Sequence, residues 1–348
     1  MHNNIKNVKR CTKCILSANF PRIKFDEKGV CNFCNNELLH STEQEDITSA
    51  TLEVQKLFDD KRGKSEYDAI VCYSGGKDST YTLKLAVEKY KLNILSFTLD
   101  NGFISPVAFK NIEKVVTALG VDHITYRPSY EFMKGLYRVS SLENIYNPKT
   151  LTRISSNCNS CISIINITSL KIALEKRIPF ILAGFTLGQI PSNTIYYQNN
   201  YEFFKESRKP ILDKFKSEIG PEVSRYMEIS EDLLKSSESF PHNINLLCME
   251  DITENEILEK IKPLGWIKPG DVDGCSTNCR INSFNNYVHT LKFGYSPYEL
   301  ELSHLIRKNL LSREEALEKL FDQPEDQINY AKSELKLDEN QILKNKVV

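Results

Sequence analysis

Residues 66–80 read EYDAIVCYSGGKDST. Ala69 to Cys72 is a short apolar run, the pattern of a buried strand. Ser74, Gly75, Gly76, Lys77, Asp78 and Ser79 follow as a loop, and TYTLKLAVEKYK then carries Leu83, Val87 and Tyr90 at helical spacing. Two adjacent glycines let the backbone turn tightly and aim successive N–H groups at one point. The helix that follows turns its positive end to the same point. Ser74 and Ser79 add hydroxyl donors, Lys77 adds a charge, and Asp78 is placed to hold Mg²⁺ or to orient the loop. This constellation fits a pyrophosphate. The G-x-x-x-x-G-K-[ST] spacing of a Walker A loop is absent. The bland alternative is a Gly-Gly turn with incidental caps, against which all six positions and their setting weigh.

Further along, NILSFTLDN reads as a strand, PVAFKNIEKVVTALG as a helix closed by Gly120, and DHITYRP as a strand. SIINITSLKIALEKR is a further helix, IPFILAG is the most apolar strand candidate, and NINLLCME suggests a last strand. Strands alternating with helices predict an α/β domain with a parallel sheet and right-handed crossovers. The expected organisation is a zinc ribbon over 1–40, a polar helical connector over 41–65, the nucleotide-binding domain over 66–250 and a mostly helical region over 251–348. In the last of these, Ser312 and Glu315 form a capping box. Residues 191–245 are polar, rich in Tyr, Phe and Lys, and give no clear element. The Lys and Arg of YEFFKESRKP read as a solvated face rather than a site for a phosphorylated substrate.

The chain has 348 residues, 41% apolar and 26% charged, within the range of soluble globular proteins. Forty-five basic and 46 acidic residues leave a formal net charge of -1, which argues against attachment to nucleic acid by bulk charge and disfavours tRNA as partner. No run of eighteen apolar residues occurs, so no membrane partner is expected. The opening MHNNIKNVKR lacks the apolar stretch of a secretory signal, which points to the cytoplasm.

Ten cysteines stand at 11, 14, 31, 34, 72, 158, 161, 248, 275 and 279. In a reducing compartment, close pairs hold metal more often than they form disulfides. CTKC (Cys11, Cys14) and CNFC (Cys31, Cys34) are two knuckles able to complete a tetrahedron around Zn²⁺. A segment of about forty residues with so few apolar groups needs such a staple to fold. Redox chemistry and unbound thiols are the alternatives. Cys158 and Cys161 form a third C-x-x-C, and Cys248 follows near a strand end. These three suit an iron–sulfur cluster with one iron free of protein ligands, a second zinc site, or no site at all. Cys275 and Cys279, in GDVDGCSTNCR, are candidates to close a second zinc site with Cys158 and Cys161. Cys72 and His123 read as structural.

SGGKDST resembles the PP-loop of the ATP pyrophosphatase superfamily, which includes sulfurylases, amidotransferase synthetase domains and tRNA thiolases. The resemblance implies that ATP is cleaved between its α and β phosphates, that AMP passes to a substrate oxygen, and that pyrophosphate rests on residues 74–80, with Lys77 and Asp78 catalytic and Thr80 completing the nucleotide-binding set. It also implies adenine near Thr98, Leu99, Asp100 and Asn101, with Gly184 of ILAGFT against the nucleotide. Turn chemistry is the alternative for Asp100 and Gly184. CTKCILSANFPRIKFDEKGVCNFC is similar to the start of the N-acetyl sugar amidotransferase family. DNGFISPVAFKNIEKVVTALGVD and KFGYSPYELELSHLIRKNLLSREEAL extend that similarity over most of the chain. That family converts an acetamido group to an acetamidino group, with ammonia from a partner glutaminase displacing AMP. The expected substrate is therefore a small molecule such as a nucleotide-sugar. Cys158, Cys161 and Cys248 instead resemble the [4Fe–4S] trio of the tRNA thiolation branch, which implies sulfur insertion and a sulfur-donor partner. A nucleotide-binding adaptor without turnover is the third reading, and the intact Lys77, Asp78 and Ser79 argue against it.

Overall fold

The computed structural model describes residues 7–237 and 239–344. Six strands, β1 (Ala69–Cys72), β2 (Ile94–Leu99), β3 (Asp122–Tyr126), β4 (Phe180–Ala183), β5 (Tyr196–Gln198) and β6 (His242–Asn245), form one sheet in the order β3-β2-β1-β4-β6-β5. Every neighbouring pair is parallel except β5 with β6. The α/β parallel-sheet fold expected from the sequence is thus present, with a cysteine cluster before it and helices after it.

Central strands of a parallel sheet are covered on both faces, so they read as apolar runs with their side chains divided between two cores. Ile70, Leu95, Phe97, Leu99 and Ile181 enter one core. Ala69, Val71, Ile94, Phe180 and Leu182 enter the other. The first core is covered by α4 (Tyr130–Leu142) and α5 (Ser156–Glu175), the second by α1 (Glu37–Lys61), α2 (Lys77–Lys84) and α3 (Pro106–Leu119). Local signals set the helix ends. Ser105 accepts from Val107 N–H and Pro106 takes the first turn of α3, while Gly120 ends that helix at φ +63°.

From β1 the chain runs outward to β2 and β3, then returns to lay β4 on the other side of β1. The reversal lies between β1 and β4, and at the carboxyl ends of such strands sheets of this kind have their ligand-binding crevice. Residues 74–79 and Gly184 both lie there, by their positions just after β1 and β4.

The structure differs from the sequence expectations at four places. Helix α2 begins at Lys77, so Asp78 and Ser79 are in its first turn, and it continues as a π-turn over Leu85–Lys89. The connector helix already starts at Glu37. The unassigned stretch contains β5 and α6 (Tyr201–Ile219), with Pro210 inside the helix, and residues Leu246–Met249 are a 3₁₀ turn rather than a strand. Lys205 of YEFFKESRKP lies outside the residues whose side chains are described.

The carboxyl-terminal part adds α7 (Glu254–Ile261), α8 (Asn282–Phe293), α9 (Glu299–Arg307), α10 (Arg313–Phe321) and α11 (Glu325–Leu335), with the expected box at Ser312 and Glu315 opening α10. The cysteine module docks on this region. Ser17 N–H donates to Glu299 at 2.9 Å, Arg313 Nε donates to the Cys14 carbonyl at 3.1 Å, and Arg10 pairs with Glu299 at 3.1 Å. Among the described residues no helix is long and apolar enough to cross a membrane.

Candidate active site

The loop is held by its own hydroxyls. Ser79 Oγ donates to the Gly76 carbonyl (3.1 Å) and receives the Ser74 N–H (3.2 Å), and Thr80 Oγ1 donates to the same carbonyl (2.8 Å). Thr80 therefore ties the loop to α2. Gly75 has φ +78°, and a Cβ there would lie 2.5 Å from the Ala108 carbonyl oxygen, so only glycine lets the loop pass this close to α3. Gly184 permits a second close approach: its Cβ would stand 2.9 Å from Thr82 Oγ1 and 3.2 Å from the Ser79 Cα. Its place beside the first turn of α2 follows from packing.

Residues from the carboxyl-terminal third of the chain lie over the loop. Thr277 Oγ1 accepts the Lys77 N–H at 3.0 Å, and Trp266 Nε1 donates to the Gly75 carbonyl at 2.9 Å. Lys77 Nζ pairs with Asp78 at 2.8 Å and with Glu254 at 3.4 Å, and Glu254 also holds Lys319 at 2.8 Å. Burial opposes charge on Lys77, but Asp78 and Glu254 outweigh it and raise its pKa, which keeps the ammonium. Glu301 receives the Thr186 hydroxyl at 3.0 Å. Desolvation in the crevice, with Asp78 nearby, pushes Glu301 up to about 7. Asp78 and Glu301 are hard oxygen donors facing one crevice, the donor type Mg²⁺ takes. Glu254, Thr277 and Glu301 are not among the site residues expected from the sequence, since each arrives from far along the chain.

Asp100 is buried and committed. It accepts from Gly102 N–H at 3.0 Å and from Arg127 Nε. This is the turn chemistry weighed as its alternative. Asn101, beside it, sends its amide N–H to Cys161 Sγ at 3.6 Å and to Cys279 Sγ at 3.8 Å.

The central cysteines group differently from the sequence expectation. Cys248 bonds the Phe185 carbonyl at 3.3 Å and packs with Ala50, Leu187 and Ile195. The structure does not bring it to Cys158 and Cys161. Cys275 points at the Lys319 carbonyl, 3.4 Å away, within an apolar cluster of α9 and α10, so the tetrahedron of Cys158, Cys161, Cys275 and Cys279 is not formed. Cys279 shares the Asn101 amide with Cys161, and both Cys158 and Cys161 lie near enough to disfavour its thiolate. Asn285 donates to Cys158 Sγ at 3.3 Å. Burial pushes Cys158 up to about 11 and raises Cys279 as well, with the neighbouring thiols adding to it, so a cation is needed to hold these sulfurs as thiolates. From the sequence Cys279 is a candidate beside Cys158 and Cys161 only together with Cys275, because i, i+3 spacing on α5 reveals one pair, whereas which of the two later cysteines joins it is set by how the 273–280 loop returns. Cys72 sits in β1 facing Ser169, and His123 bonds Ser96 (2.7 Å) and Thr125 (3.0 Å) on β3, structural places for both.

Cys11, Cys14, Cys31 and Cys34 are all buried, with every sulfur within 4.8 Å of the others. Cys14 and Cys31 stand 3.7 Å apart, Cys11 and Cys34 4.0 Å. Zinc at about 2.3 Å from four sulfurs sets them roughly 3.8 Å apart. The Cys14 and Cys31 N–H groups both reach Cys11 Sγ, at 3.4 and 3.2 Å. Thiols of Cys31 and Cys34 donating to Cys14 lower its pKa, while bonding to Cys14 raises that of Cys31. Crowded thiols of this kind fit a thiophilic cation. No other group of three ligating side chains among the described residues is this tight. The sulfurs of Cys158, Cys161 and Cys279 do not all lie within 4.8 Å of one another.

Residues 273–345 match the family model described as "LPS biosynthesis protein WbpG-like, C-terminal domain". That stretch begins at Asp273 and contains Thr277, Cys279 and Glu301. The chain is 23% identical to an uncharacterized protein of Methanocaldococcus jannaschii, MJ1599, over 313 residues, covering 89% of this chain and 92% of that one. Among solved structures it is similar to the U34-tRNA thiolase NcsA from Methanococcus maripaludis with its [4Fe-4S] cluster, at 15% identity and a TM-score of 0.36 over 87% of this chain and 86% of that one.

Proposed function

We propose that this chain is a PP-loop enzyme that adenylates the amide oxygen of a sugar-type small molecule and replaces that oxygen with nitrogen. The observation that carries the reading is the loop itself. Residues 74–79 sit at the switch point of a parallel sheet, open a helix, and turn on a glycine that no other residue can replace. The Lys77 N–H donates to the Thr277 hydroxyl at 3.0 Å, so this loop amide is aimed at an oxygen acceptor. The match of 273–345 to a lipopolysaccharide-biosynthesis family supports a sugar acceptor.

In the first half-reaction the acceptor's amide oxygen attacks the α-phosphorus of ATP, and the bond to the bridging oxygen breaks. Pyrophosphate leaves onto the loop amides and the Lys77 ammonium, donors fixed before charge develops. Asp78 and Glu301 would hold Mg²⁺ against the phosphates. In the second, ammonia from a glutaminase partner adds to the activated carbon and AMP departs with the oxygen. Lys77→Ala and Asp78→Ala are expected to lower acceptor-dependent pyrophosphate release by about 10²–10³-fold. Release at the wild-type rate in both variants would remove the mechanism.

A second reading, sulfur insertion by the same activation, is favoured by Cys158, Cys161 and Cys279. Their number, burial and amide donors from Asn101 and Asn285 fit an iron–sulfur cluster. When bound, such a cluster supplies an iron without a protein ligand, able to take a sulfur donor. Thr277 touches the nucleotide loop and Cys279 is two residues on, at most about 7 Å of chain. On protein prepared without oxygen, Cys279→Ala is expected to lose iron and visible absorbance as fully as Cys161→Ala, whereas Cys248→Ala keeps both. Iron that follows Cys248 rather than Cys279, or a colourless iron-free wild type, would exclude this ligand set.

A further inference from the structure

A cavity of about 630 Å³ lies between the cysteine module, the start of α1 and the end of α9, with Lys13, His40, Glu43, His304, Arg307 and Lys308 in its wall. The adenylation reading makes no use of it. Its volume is that of a site for a drug-sized ligand.

The charges in the wall do not balance. Glu43 is answered by Lys308 at 3.4 Å and faces His304 at 3.6 Å. A second carboxylate, Glu37, is exposed at the edge. Arg307 Nη1 is buried and meets no hydrogen-bond partner among the described residues. Lys13 faces the same space from the module, and Arg153, bonded to the Gly188 and Ile190 carbonyls, adds its field from behind. Burial, with Arg307 and Lys308 beside it, pushes His304 down to about 3, so its imidazole is neutral. A desolvated guanidinium nitrogen without an acceptor is costly, and its fork geometry matches carboxylate or phosphate oxygens.

The cavity also borders the helix that carries Glu301. Along α9, Glu301 faces Lys77 and Asp78, His304 comes one turn later, and Arg307 and Lys308 close the helix. At about 1.5 Å per residue, Arg307 is roughly 9 Å beyond Glu301. The loop after β4 runs beside the same stretch, since a Cβ on Gly188 would touch the Glu301 Cα at 2.6 Å and the His304 Cβ at 3.3 Å.

We infer that this cavity is the acceptor's anchor site, in which Arg307 and Lys13 grip an oxyanion of the sugar substrate, a phosphate or a carboxylate, while its amide reaches the nucleotide. The inference rests on residues 74–79 being the ATP site, and the experiment separates the two. Full-length, metal-loaded protein is saturated with α,β-methylene-ATP, and uridine diphosphate and glucuronate are titrated in turn by calorimetry. Arg307→Ala and Lys13→Gln are each expected to weaken binding about tenfold or more, the loss of a charge-assisted hydrogen bond, with affinity for α,β-methylene-ATP within twofold of wild type. Uridine diphosphate responding in this way identifies a phosphate as the anchor, and glucuronate a carboxylate. Lys13 is exposed, so Lys13→Gln decides the matter if Arg307→Ala does not fold. Absence of binding for both probes, or binding unaffected by the variants, overturns the anchor site. Absence of affinity for α,β-methylene-ATP overturns the adenylation reading instead, and the effect of the variants on the two probes still decides the cavity.

Discussion

Gly75→Ala is expected to abolish acceptor-dependent pyrophosphate release while also lowering stability. Two costs act together. At φ +78° an alanine is in the left-handed region, at about 1–2 kcal/mol. Its methyl would also meet the Ala108 carbonyl at 2.5 Å and Ile112 Cγ1 at 3.0 Å, and overpacking of this kind adds about 1–3 kcal/mol. Backbone rather than a mobile side chain blocks the way, so the loop must move off α3, and its amides lose their common aim. Loss of such prearranged donors costs about 10²–10³ in rate. Gly76→Ala is the informative partner. Gly76 has an ordinary φ of -78°, and its Cβ would meet the Thr277 hydroxyl at 2.9 Å, a group that can rotate away. Its melting temperature is expected to stay close to wild type, with the effect confined to nucleotide affinity. Pyrophosphate release by Gly75→Ala at more than a tenth of the wild-type rate would mean that the loop is not a phosphate cradle.

What could be read from the sequence, and what could not, follows from the range of each interaction. The strand, loop and helix around residues 69–84 were legible because every determinant is local: an apolar run, two glycines, and helical spacing after Lys77. The four amino-terminal cysteines were legible because paired knuckles have one economical solution, and the sulfurs do converge. The sheet order was not derivable, but the crevice beside β1 was, since alternating strands and helices leave few arrangements. Failures came where the chain returns from afar. Glu254 and Glu301 reach Lys77 and Asp78 from the carboxyl-terminal helices, with no spacing to announce them. Cys248 looked like the third member of the central trio by its distance along the chain. A 3₁₀ turn at Leu246–Met249 aims it instead at the Phe185 carbonyl, and Cys279 takes the place through the bridge it makes with Ile104. The strand β5 escaped because three residues, Tyr196–Gln198, on a sheet edge carry no pattern longer than one alternation.

Removing metal from the amino-terminal module is expected to undo more than the module. Four buried sulfurs, with two backbone N–H groups on one of them, hold a segment that has few apolar groups of its own. For structural zinc, apparent binding free energies are about 10–16 kcal/mol at neutral pH, and they appear as folding free energy. The module's docking contacts reach α9. Arg10 pairs with the fully buried Glu299, Ser17 N–H bonds the same carboxylate, and Ser303 receives the Ile15 N–H at 3.3 Å. If the module unfolds, Glu299 loses both its cation and the Ser17 N–H, and the start of α9 loses its docking partner. Helix α9 also carries Glu301, beside Lys77 and Asp78, so the loop of residues 74–79 should loosen with it. One zinc per chain is expected by elemental analysis, retained in Cys279→Ala and lost in Cys31→Ser. Cys31→Ser, or wild type after chelation, should melt well below the loaded protein and bind MgATP more weakly. The pH dependence has a definite sign. Zinc needs thiolates, so protons compete with it, and chelator resistance should fall as pH is lowered from 8 to 5. A protein that melts at the same temperature with and without chelator, or whose zinc follows Cys279 rather than Cys31, would show that the amino-terminal cysteines are not the staple for α9, and the link from module to crevice would fail with it.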